Sequence, residues 1–318
     1  MAATKLAEGE RLVTELRSAT FRKEEYRYVF TGIADAHGDV WTTTQLDEAN
    51  LNQVYNQYRV RHGIPFPPEI AALRNHYGLS ASKMSEILGF GINQYRQYEA
   101  GEMPSISNGR MLVAIRDQSV FKTFVEASRE QLGTKEYERI MRHLSSLGPY
   151  VANRGEPSEM SGFSVFSAER VRALVLYFVR RLGGVFVTKM NKLLFYADFL
   201  AYRRTGFGLT GLEYQAMQYG PVPKNWGAVY DALDGVAMNE YVINDRSGGI
   251  RLEAVGDTEA DMALSDDERE ILEDVCARFG DANVKEISDA SHDEVGWIEN
   301  VNGKGCISYN YAFYLSMH

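Results

Sequence analysis

Hydrophobic and polar positions along the chain follow first a strand period and then a helical one. Tyr26–Ile33 and Asp39–Thr44 are rich in β-branched and aromatic residues, with Gly38 between them. This pattern predicts a small β-hairpin. Over Gln45–Arg61 the apolar residues recur at helical spacing and predict a helix. Residues 1–20 are also predicted to be helical.

A block of helices is predicted to begin at the prolines near residue 67. Pro68 suits the first turn of a helix, and helical patterning continues to about Gln131. Another helix is predicted over Lys135–Leu147. Gly148–Gly162 is rich in Gly, Pro, Ser and Asn, and this composition predicts a linker.

The second half is predicted to be mostly helical. Ser167 is the expected N-cap of a helix that ends at Gly183–Gly184. Thr188 is the expected cap of the next helix, Lys189–Arg204. Apolar side chains cover more than one face of that helix, so we expect it to be central in its domain.

The last sixty residues carry further helix signals. Ser265 begins a capping-box pattern before a helix that is predicted to run to about Phe279. A further helix is predicted to start near Val284. The aromatic tail, Cys306–Leu315, is predicted to be a short strand or a helix packed on the core.

Composition and charge exclude several classes of protein. No apolar run approaches the roughly 18 residues of a membrane span, and the first residues lack the apolar region of a secretion signal, so a cytoplasmic protein is expected. Two cysteines, Cys276 and Cys306, are too few for a disulfide framework or a cysteine-rich zinc site, and no metal or other cofactor is expected. Residues 1–160 hold 19 Lys and Arg against 20 Asp and Glu, whereas residues 161–318 hold 15 against 23. An acidic second half would repel DNA and suits a basic protein partner.

The stretch Leu73–Ser105 has the layout helix, break, helix, tight turn, helix, which is typical of a helix-turn-helix DNA reader. Ser80 is expected to cap the second helix, and Gly89-Phe90-Gly91 to form the turn. The third helix, Ile92–Ala100, is expected to lie in the major groove. The apolar residues predicted for the inner side of this bundle are Leu73, Leu79, Met84, Ile87, Leu88, Tyr95 and Tyr98.

The candidate DNA contacts are Asn93, Gln94, Arg96, Gln97 and Lys83. Asn and Gln pair bidentately with adenine and Arg with guanine, whereas Lys83 suits a phosphate. Palindromic half-sites require paired recognition helices, so a homodimer through the N-terminal half is expected. The alternative is a three-helix packing module with no role in DNA binding.

This stretch resembles Xre-type regulators and, more closely, the MqsA (YgiT-type) antitoxins. The resemblance implies base reading at the positions of Asn93 and Gln97, where the family usually has Arg at the second. Such proteins commonly carry a four-cysteine zinc module before the helix-turn-helix, but residues 1–62 contain no Cys, and we expect a metal-free α+β module there. The expected core of that module is Tyr26, Tyr28, Phe30 and Trp41. The residues that carry the resemblance are Leu79-Ser80, Ser85-Glu86-Ile87-Leu88-Gly89, Gly91-Ile92-Asn93, Tyr98-Glu99, Gly101-Glu102 and Pro104-Ser105.

Two motifs of the second half, KMNKLLFYADF at Lys189–Phe199 and QYGPVPKNW at Gln218–Trp226, resemble the Panacea, or SocA-like, domain. Gly211, Ser291-His292 and Trp297 add to the resemblance, which covers roughly Phe163–His318. It implies that this half neutralises a toxin within a two-gene toxin–antitoxin module. The fused arrangement resembles PanA-type antitoxins that carry an N-terminal DNA-binding module.

The residues around the second motif suggest a binding surface. Gly220–Pro223 (GPVP) cannot be regular helix, because proline lacks the N–H group, and it is expected to form a stiff loop. Aromatic side chains are typical interface anchors. The alternative is that this loop shapes the fold and that the aromatic residues are core. The candidate toxin contacts are Tyr219, Pro221, Pro223, Trp226 and Tyr230.

The titratable residues give no motif for catalysis. Asp198, on an apolar helix, is expected to be buried and hydrogen-bonded to His292 or to an arginine. The cluster His292-Asp293-Glu294 lacks a nearby nucleophile motif, and the chain has no phosphate-binding loop. We therefore expect a protein that is not an enzyme.

The sequence predicts a mainly α protein with small β elements. Its predicted parts are an α+β module at 1–62, a helix-turn-helix domain at 63–131, a helix and linker at 132–162 and a Panacea-like domain at 163–318. The expected function is that of a type II antitoxin whose partners are a toxin and operator DNA. The alternatives are a transcription regulator with a C-terminal sensor or protein-interaction domain, and a SocA-like proteolytic adaptor.

Overall fold

The structure, a computed structural model, describes residues 6–148, 150, 157–244, 247–256 and 264–317. Contacts group the chain into two compact units. Unit 1 combines residues 1–54 with 157–318, and unit 2 is residues 55–156. The sequence predicted a separate N-terminal module at 1–62, which stays a prediction, whereas the contacts group residues 1–54 with the second half of the chain. Residues 149 and 151–156 of the predicted linker lie outside the described residues.

Unit 1 begins with a long β-hairpin where residues 1–20 were predicted to be helical. Strands β1 (Arg11–Phe21) and β2 (Glu24–Ala34) pair antiparallel along their whole length. The turn residues Arg22 and Lys23 have φ angles of 48° and 72°, the left-handed values that the tightest hairpin turn requires. The helix prediction was wrong because this turn lacks the Gly or Asn that marks such hairpins.

The predicted pairing around Gly38 is present but short. Strand β3 (Val40–Trp41) pairs with Ile33 and Ala34 at the end of β2. Helix α1 (Thr44–His62) follows and confirms the helix predicted over Gln45–Arg61.

Side-chain amides of α1 form hydrogen bonds with backbone N–H and C=O groups of β2 that do not pair with another strand. Asn50 accepts a hydrogen bond from the amide of Thr31 at 2.9 Å and donates to its carbonyl at 3.0 Å. Gln53 binds the amide and carbonyl of Val29 in the same way, both at 2.9 Å. The two amides take the place of a neighbouring strand, and this pairing ties α1 to the hairpin.

Unit 2 is helical, as predicted for this part of the chain. Ser80 caps the helix Ala81–Leu88 by accepting a hydrogen bond from the amide of Lys83, and Gly89 ends that helix at a φ of 68°. All seven apolar residues predicted for the inner side of the bundle are buried in one core. The helices are α2 (Pro67–His76), α3 (Ala81–Leu88), α4 (Gln94–Glu99), α5 (Ile106–Ala114), α6 (Gln118–Ala127), α7 (Arg129–Leu132) and α8 (Thr134–Ser146).

The second half of unit 1 combines helices with two small antiparallel sheets. The helices are α9 (Ala168–Leu182), α10 (Val187–Thr205), α11 (Trp226–Asp231), α12 (Asp266–Phe279), α13 (Val284–His292) and α14 (Val295–Asn300), with 3-10 helices at Val301–Gly303 and Tyr309–Tyr314. The strands are β4 (Val185–Phe186), β5 (Tyr214–Met217), β6 (Gly220–Pro223), β7 (Val236–Asn244), β8 (Ser247–Ala254) and β9 (Cys306–Ile307). Their orders are β4-β8-β7 and β6-β5-β9.

The predicted helix ends of unit 1 agree with the structure at most positions. Ser167 caps α9, and Gly183 ends it at a φ of 68°. Ser265 forms a capping box at the start of α12. The cap predicted at Thr188 was wrong, because β4 leads directly into α10 and leaves Thr188 within the helix.

Helix α10 lies at the centre of unit 1. Most of its side chains are buried, and it contacts α9, α12, α13 and β6. A helix that is apolar on all sides stabilises a fold through burial on every face. Among the described residues, no helix combines the length and apolarity that a membrane span needs.

The amide pairing between α1 and β2 makes Asn50 a test of this fold. Asn50→Leu keeps a similar volume but leaves the amide and carbonyl of Thr31 buried and unpaired. We expect the free energy of unfolding, measured by urea denaturation, to fall by about 2 to 4 kcal/mol. Glu48→Ala, an exposed change on the same helix, should stay within about 0.5 kcal/mol of the wild type. Equal stability of both variants would contradict the proposed pairing.

Candidate functional site

Asp198 is the buried polar centre of α10. Its carboxylate accepts hydrogen bonds from the amides of Leu209 and Thr210 at 2.7 and 2.9 Å, from the Thr210 hydroxyl at 2.5 Å and from the Tyr214 hydroxyl at 2.7 Å. Burial raises the pKa of Asp198, and these donors oppose that rise. The predicted burial is confirmed, but the predicted partner, His292 or an arginine, was wrong. The described hydrogen bonds join α10 to the segment that leads into β5.

Gly211 fixes the path of that segment. It has a φ of 72°, and a Cβ atom there would lie 2.5 Å from the backbone of Phe166 and Val165. The position therefore requires glycine for both its conformation and its space. Together with Asp198, it sets the start of β5 and hence the position of β6 beside it.

The GPVP segment is an edge strand, whereas a loop was predicted. In β6, Gly220 pairs with Met217 and Pro223 with Tyr214. The next amide, that of Lys224, donates to the carbonyl of Glu213 at 2.8 Å, so alternate residues of this strand face β5. The prolines occupy the other positions, where their missing N–H groups would face away from the sheet.

A cavity of about 950 Å³ lies beside β6 and is lined largely by apolar side chains. Its walls come from the start of α10, from β5, β6 and α11, and from the beginning of β8. The polar lining includes Thr188, Asn191, Gln215 and Asn225. A concave, mostly apolar cavity with a few polar groups is typical of a binding site.

Lys192, on α10, is the charged residue among the described residues that line this cavity. Its side chain is fully buried, and its Nζ atom has no hydrogen-bond partner among the described residues. Burial lowers the pKa of Lys192 to about 8. A Cβ atom at Gly220 would lie 2.8 Å from Lys192 Cε, so glycine allows β6 to pack directly on this lysine.

The predicted toxin contacts occupy different environments along this wall. Tyr219 is 66% exposed, and Trp226 and Pro223 line the cavity, where Trp226 is half-buried. Pro221 is buried. Tyr230 is also buried, and its hydroxyl donates to Asn191 Oδ1 at 2.7 Å. Pro221 and Tyr230 support the wall from within, and the role of all five residues in toxin binding stays a prediction.

In unit 2, most of the predicted DNA contacts lie at the surface, in α4 or directly before it. Asn93, Arg96 and Gln97 are exposed. Gln94 is half-buried and donates to Glu102 at 3.0 Å. Lys83 forms an ion pair with Glu86 at 2.6 Å.

Helix α4 is shorter than predicted, Gln94–Glu99 instead of Ile92–Ala100. Tyr95 anchors it, since its hydroxyl donates to the carbonyl of Ile70 at 2.9 Å and its amide donates to Ser85 Oγ at 3.1 Å. Ile92, just before the helix, is 85% exposed. The role of this surface in DNA binding stays a prediction.

The cluster His292-Asp293-Glu294 is divided among different environments. Glu294 is buried and accepts hydrogen bonds from Tyr196 at 3.1 Å and from the Ser316 hydroxyl at 2.6 Å. The ring of His292 stacks on Trp297 at 4.2 Å, and Asp293 is exposed. These contacts assign Glu294 a structural role.

Residues 190–298 match the family model described as antitoxin SocA-like, Panacea domain. The matched range lies within unit 1 and contains α10 from Met190, with Lys192 and Asp198, as well as β5 and β6. Unit 1 therefore contains a region similar to the Panacea antitoxin domain. No curated protein and no solved structure matches this chain.

Lys192 was not among the residues predicted for the site, although the sequence carries a signal for it. It lies in α10 directly before the apolar run Leu193–Phe195 and two residues after Met190. A lysine in a helix that is apolar on all sides is forced into the core, where lysine is rarely found without a partner.

Lys192 allows a prediction on stability. The pKa of a lysine is near 10.5 in the unfolded chain, and that of Lys192 is about 8 in the folded protein. Below pH 8 Lys192 is therefore charged in both states, and the folded state bears the full free-energy cost of burying an unpaired cation. Lys192→Met should therefore raise the free energy of unfolding at pH 7 by about 3 kcal/mol. As the pH rises from 8 to 10.5, Lys192 loses its proton in the folded wild type before it does so in the unfolded chain. The cost of burying its charge then disappears, so the stability advantage of Lys192→Met over the wild type should shrink.

Urea denaturation at pH 7 and pH 10 measures this difference. Lys189→Met is the matched control on the same helix. Lys189 Nζ donates to the carbonyls of Gly280 and Ala282, both at 2.7 Å, so its loss should lower stability. A Lys192→Met protein that is less stable than the wild type at pH 7 would contradict the assignment of an unpaired cation.

Proposed function

We propose that this protein is an antitoxin of a type II toxin–antitoxin system and that unit 1 binds and inactivates a toxin encoded beside it. The match of residues 190–298 to the Panacea antitoxin domain carries the proposal. The exposed Tyr219 and the half-buried Trp226, at a largely apolar cavity, support direct binding, since such aromatic residues anchor protein interfaces.

Neutralisation in this proposal is stoichiometric masking of the toxin and involves no reaction. The structural hydrogen bonds of Asp198 and Glu294 support that view, because they engage two of the buried carboxylates of unit 1. The protein acts in the cytoplasm, where it meets both the toxin and the promoter.

In the second part of the proposal, unit 2 binds operator DNA as an Xre-type helix-turn-helix and represses its own operon. The exposed Asn93, Arg96 and Gln97 support base reading. The exposed Ile92 adds an apolar side chain suited to a thymine methyl group. A homodimer through unit 2 supplies the two recognition helices that a palindromic operator needs.

A transcription regulator with a sensor domain is the second candidate, and the volume of the cavity favours it, since 950 Å³ also suits a small molecule. The gene beside this one separates the two functions. A neighbouring product that is harmless when expressed alone would favour the regulator. Rescue that depends on a cellular protease would favour a proteolytic adaptor.

Co-expression tests the antitoxin function. Cells that express the adjacent gene alone should stop growing, and co-expression of the full chain should restore growth. Tyr219→Ala should weaken binding to the purified toxin by about 30-fold, since a central aromatic contact contributes about 2 kcal/mol. Isothermal titration calorimetry measures this loss.

Tyr314→Ala is the matched control, because Tyr314 is 59% exposed and does not line the cavity. Its affinity for the toxin should stay within about threefold of the wild type. Equal losses in both tyrosine variants would place the toxin elsewhere on unit 1.

The DNA-binding function is tested by Asn93→Ala combined with Gln97→Ala. Both side chains are exposed, so the fold should be unchanged, whereas the shift of operator DNA in a gel should be lost. Growth rescue should remain intact, because neutralisation is assigned to unit 1. Lys135→Ala, at another exposed position of unit 2, should retain the shift. Loss of rescue in the double variant would contradict this division of labour.

A further inference from the structure

We infer that the cavity beside β6 receives an apolar segment of the toxin that carries one carboxylate, and that this carboxylate pairs with Lys192. The inference rests on the proposed function, because it names the chemistry that unit 1 recognises in the toxin. It assigns Lys192 a role in binding that is separate from the stability of the fold.

The first argument is the unpaired charge. Lys192 is fully buried, and its Nζ atom has no hydrogen-bond partner among the described residues. Lys189, one turn earlier and half-buried, donates to two carbonyls at 2.7 Å, so the fold supplies acceptors to one lysine of this helix and none to the more deeply buried Lys192. A carboxylate from a partner would supply the missing acceptor and form a charge-assisted hydrogen bond in a region of low dielectric constant.

The second argument is the lining of the cavity. Phe186, Met217, Val222, Trp226 and Ile250 give it a largely apolar wall. The ligand therefore has an apolar body. Lys192 is the charged group among the described lining residues, so the cavity offers compensation for a single negative charge. A group with two negative charges would leave one of them unpaired on binding.

The third argument favours a protein segment over a small metabolite. Tyr219, on the cavity wall, is 66% exposed. Tyr241, 38% exposed, packs its ring on Phe186 of the cavity lining, with the ring centroids 6.4 Å apart. Exposed apolar side chains that continue from a cavity onto the surface are typical of a protein interface. A small molecule inside the cavity would leave this rim uncovered.

The Nζ atom of Lys192 is closed off from solvent, so the proposed pairing includes a rotamer change in the lining. Met217 is half-buried in the wall, and its unbranched thioether side chain changes rotamer at low cost. Binding of the partner thus opens access from the cavity to the Nζ atom of Lys192.

The test uses the full chain and the toxin encoded by the adjacent gene. Lys192→Met should weaken toxin binding by about 30-fold or more in calorimetry, the loss expected when one partner of a buried charge pair is removed. The variant should remain folded, with a melting temperature at least equal to that of the wild type. Lys285→Met removes the same charge from a side chain that is 84% exposed, and its affinity should stay within about threefold.

A double-mutant cycle identifies the carboxylate. Each surface Asp and Glu of the toxin is changed to Asn or Gln and titrated against wild type and Lys192→Met. One toxin variant should lose about as much affinity as Lys192→Met does, and the combination should lose little more than either alone. If every toxin variant adds its loss independently to that of Lys192→Met, the pairing is overturned.

A second variant tests the use of the cavity without changing any charge. Gly227 lies in α11 and lines the cavity, and a Cβ atom there would meet nothing within 4 Å. Gly227→Phe should fold and reduce toxin binding by about 10-fold or more, because its ring occupies the space of the toxin segment. Gly303→Phe, at another open position that does not line the cavity, should bind normally.

The outcomes separate this inference from the proposed function. If the wild type does not bind the toxin, the proposed function fails and the inference fails with it. If the wild type binds and Lys192→Met binds equally well, the inference alone is overturned. Sodium decanoate, with decanol as the uncharged control, tests the other occupant. In the contrary result, decanoate raises the melting temperature of the wild type but not that of Lys192→Met, while Lys192→Met binds the toxin as tightly as the wild type does. That result would assign the cavity to a small carboxylate and overturn the inference.

Discussion

The burial of α10 on nearly all sides is the constraint on which unit 1 depends. A helix in that position stabilises the fold through its apolar side chains, but each polar group it carries then needs a partner inside the protein. Asp198 has such partners in Leu209, Thr210 and Tyr214. Lys192, less than two turns away, has none among the described residues. The same helix therefore holds one polar group that serves the fold and one that the fold leaves unsatisfied.

This difference connects stability to function. The hydrogen bonds of Asp198 hold the segment that leads into β5, and β5 positions β6 through their antiparallel pairing. Gly220, at the start of β6, packs against Lys192. Two residues of α10 that lie less than two turns apart therefore determine the site: Asp198 positions the wall of the cavity, and Lys192 supplies its positive charge. An unpaired buried cation lowers stability, and proteins retain such groups where binding or catalysis uses them. We interpret Lys192 in these terms.

Local signals in the sequence were sufficient for many of the helices and insufficient for the contacts that group the chain into units. Ser167, Ser265 and Gly183 marked helix ends correctly because caps depend on a few neighbouring residues. The β1–β2 hairpin escaped prediction because Arg22-Lys23 adopts left-handed angles without the usual residue types. The packing of residues 1–54 with the second half depends on long-range contacts, among them the hydrogen bond from Asn52 Nδ2 to the carbonyl of Thr205 at 2.9 Å. At the candidate site, the motifs located α10 and β6, but only coordinates reveal that Pro221 and Tyr230 face inward and that Lys192 lacks a partner.

Hydrogen exchange of the full chain, with and without the purified toxin, tests the central claim most directly. The account predicts that toxin binding slows amide exchange in the peptides that cover β5 to α11, Tyr214–Asp231, and the start of β8. Exchange in α4, Gln94–Glu99, should be unchanged by the toxin. Slower exchange confined to residues 55–148, with the walls of the cavity unaffected, would contradict the claim that unit 1 captures the toxin through this cavity.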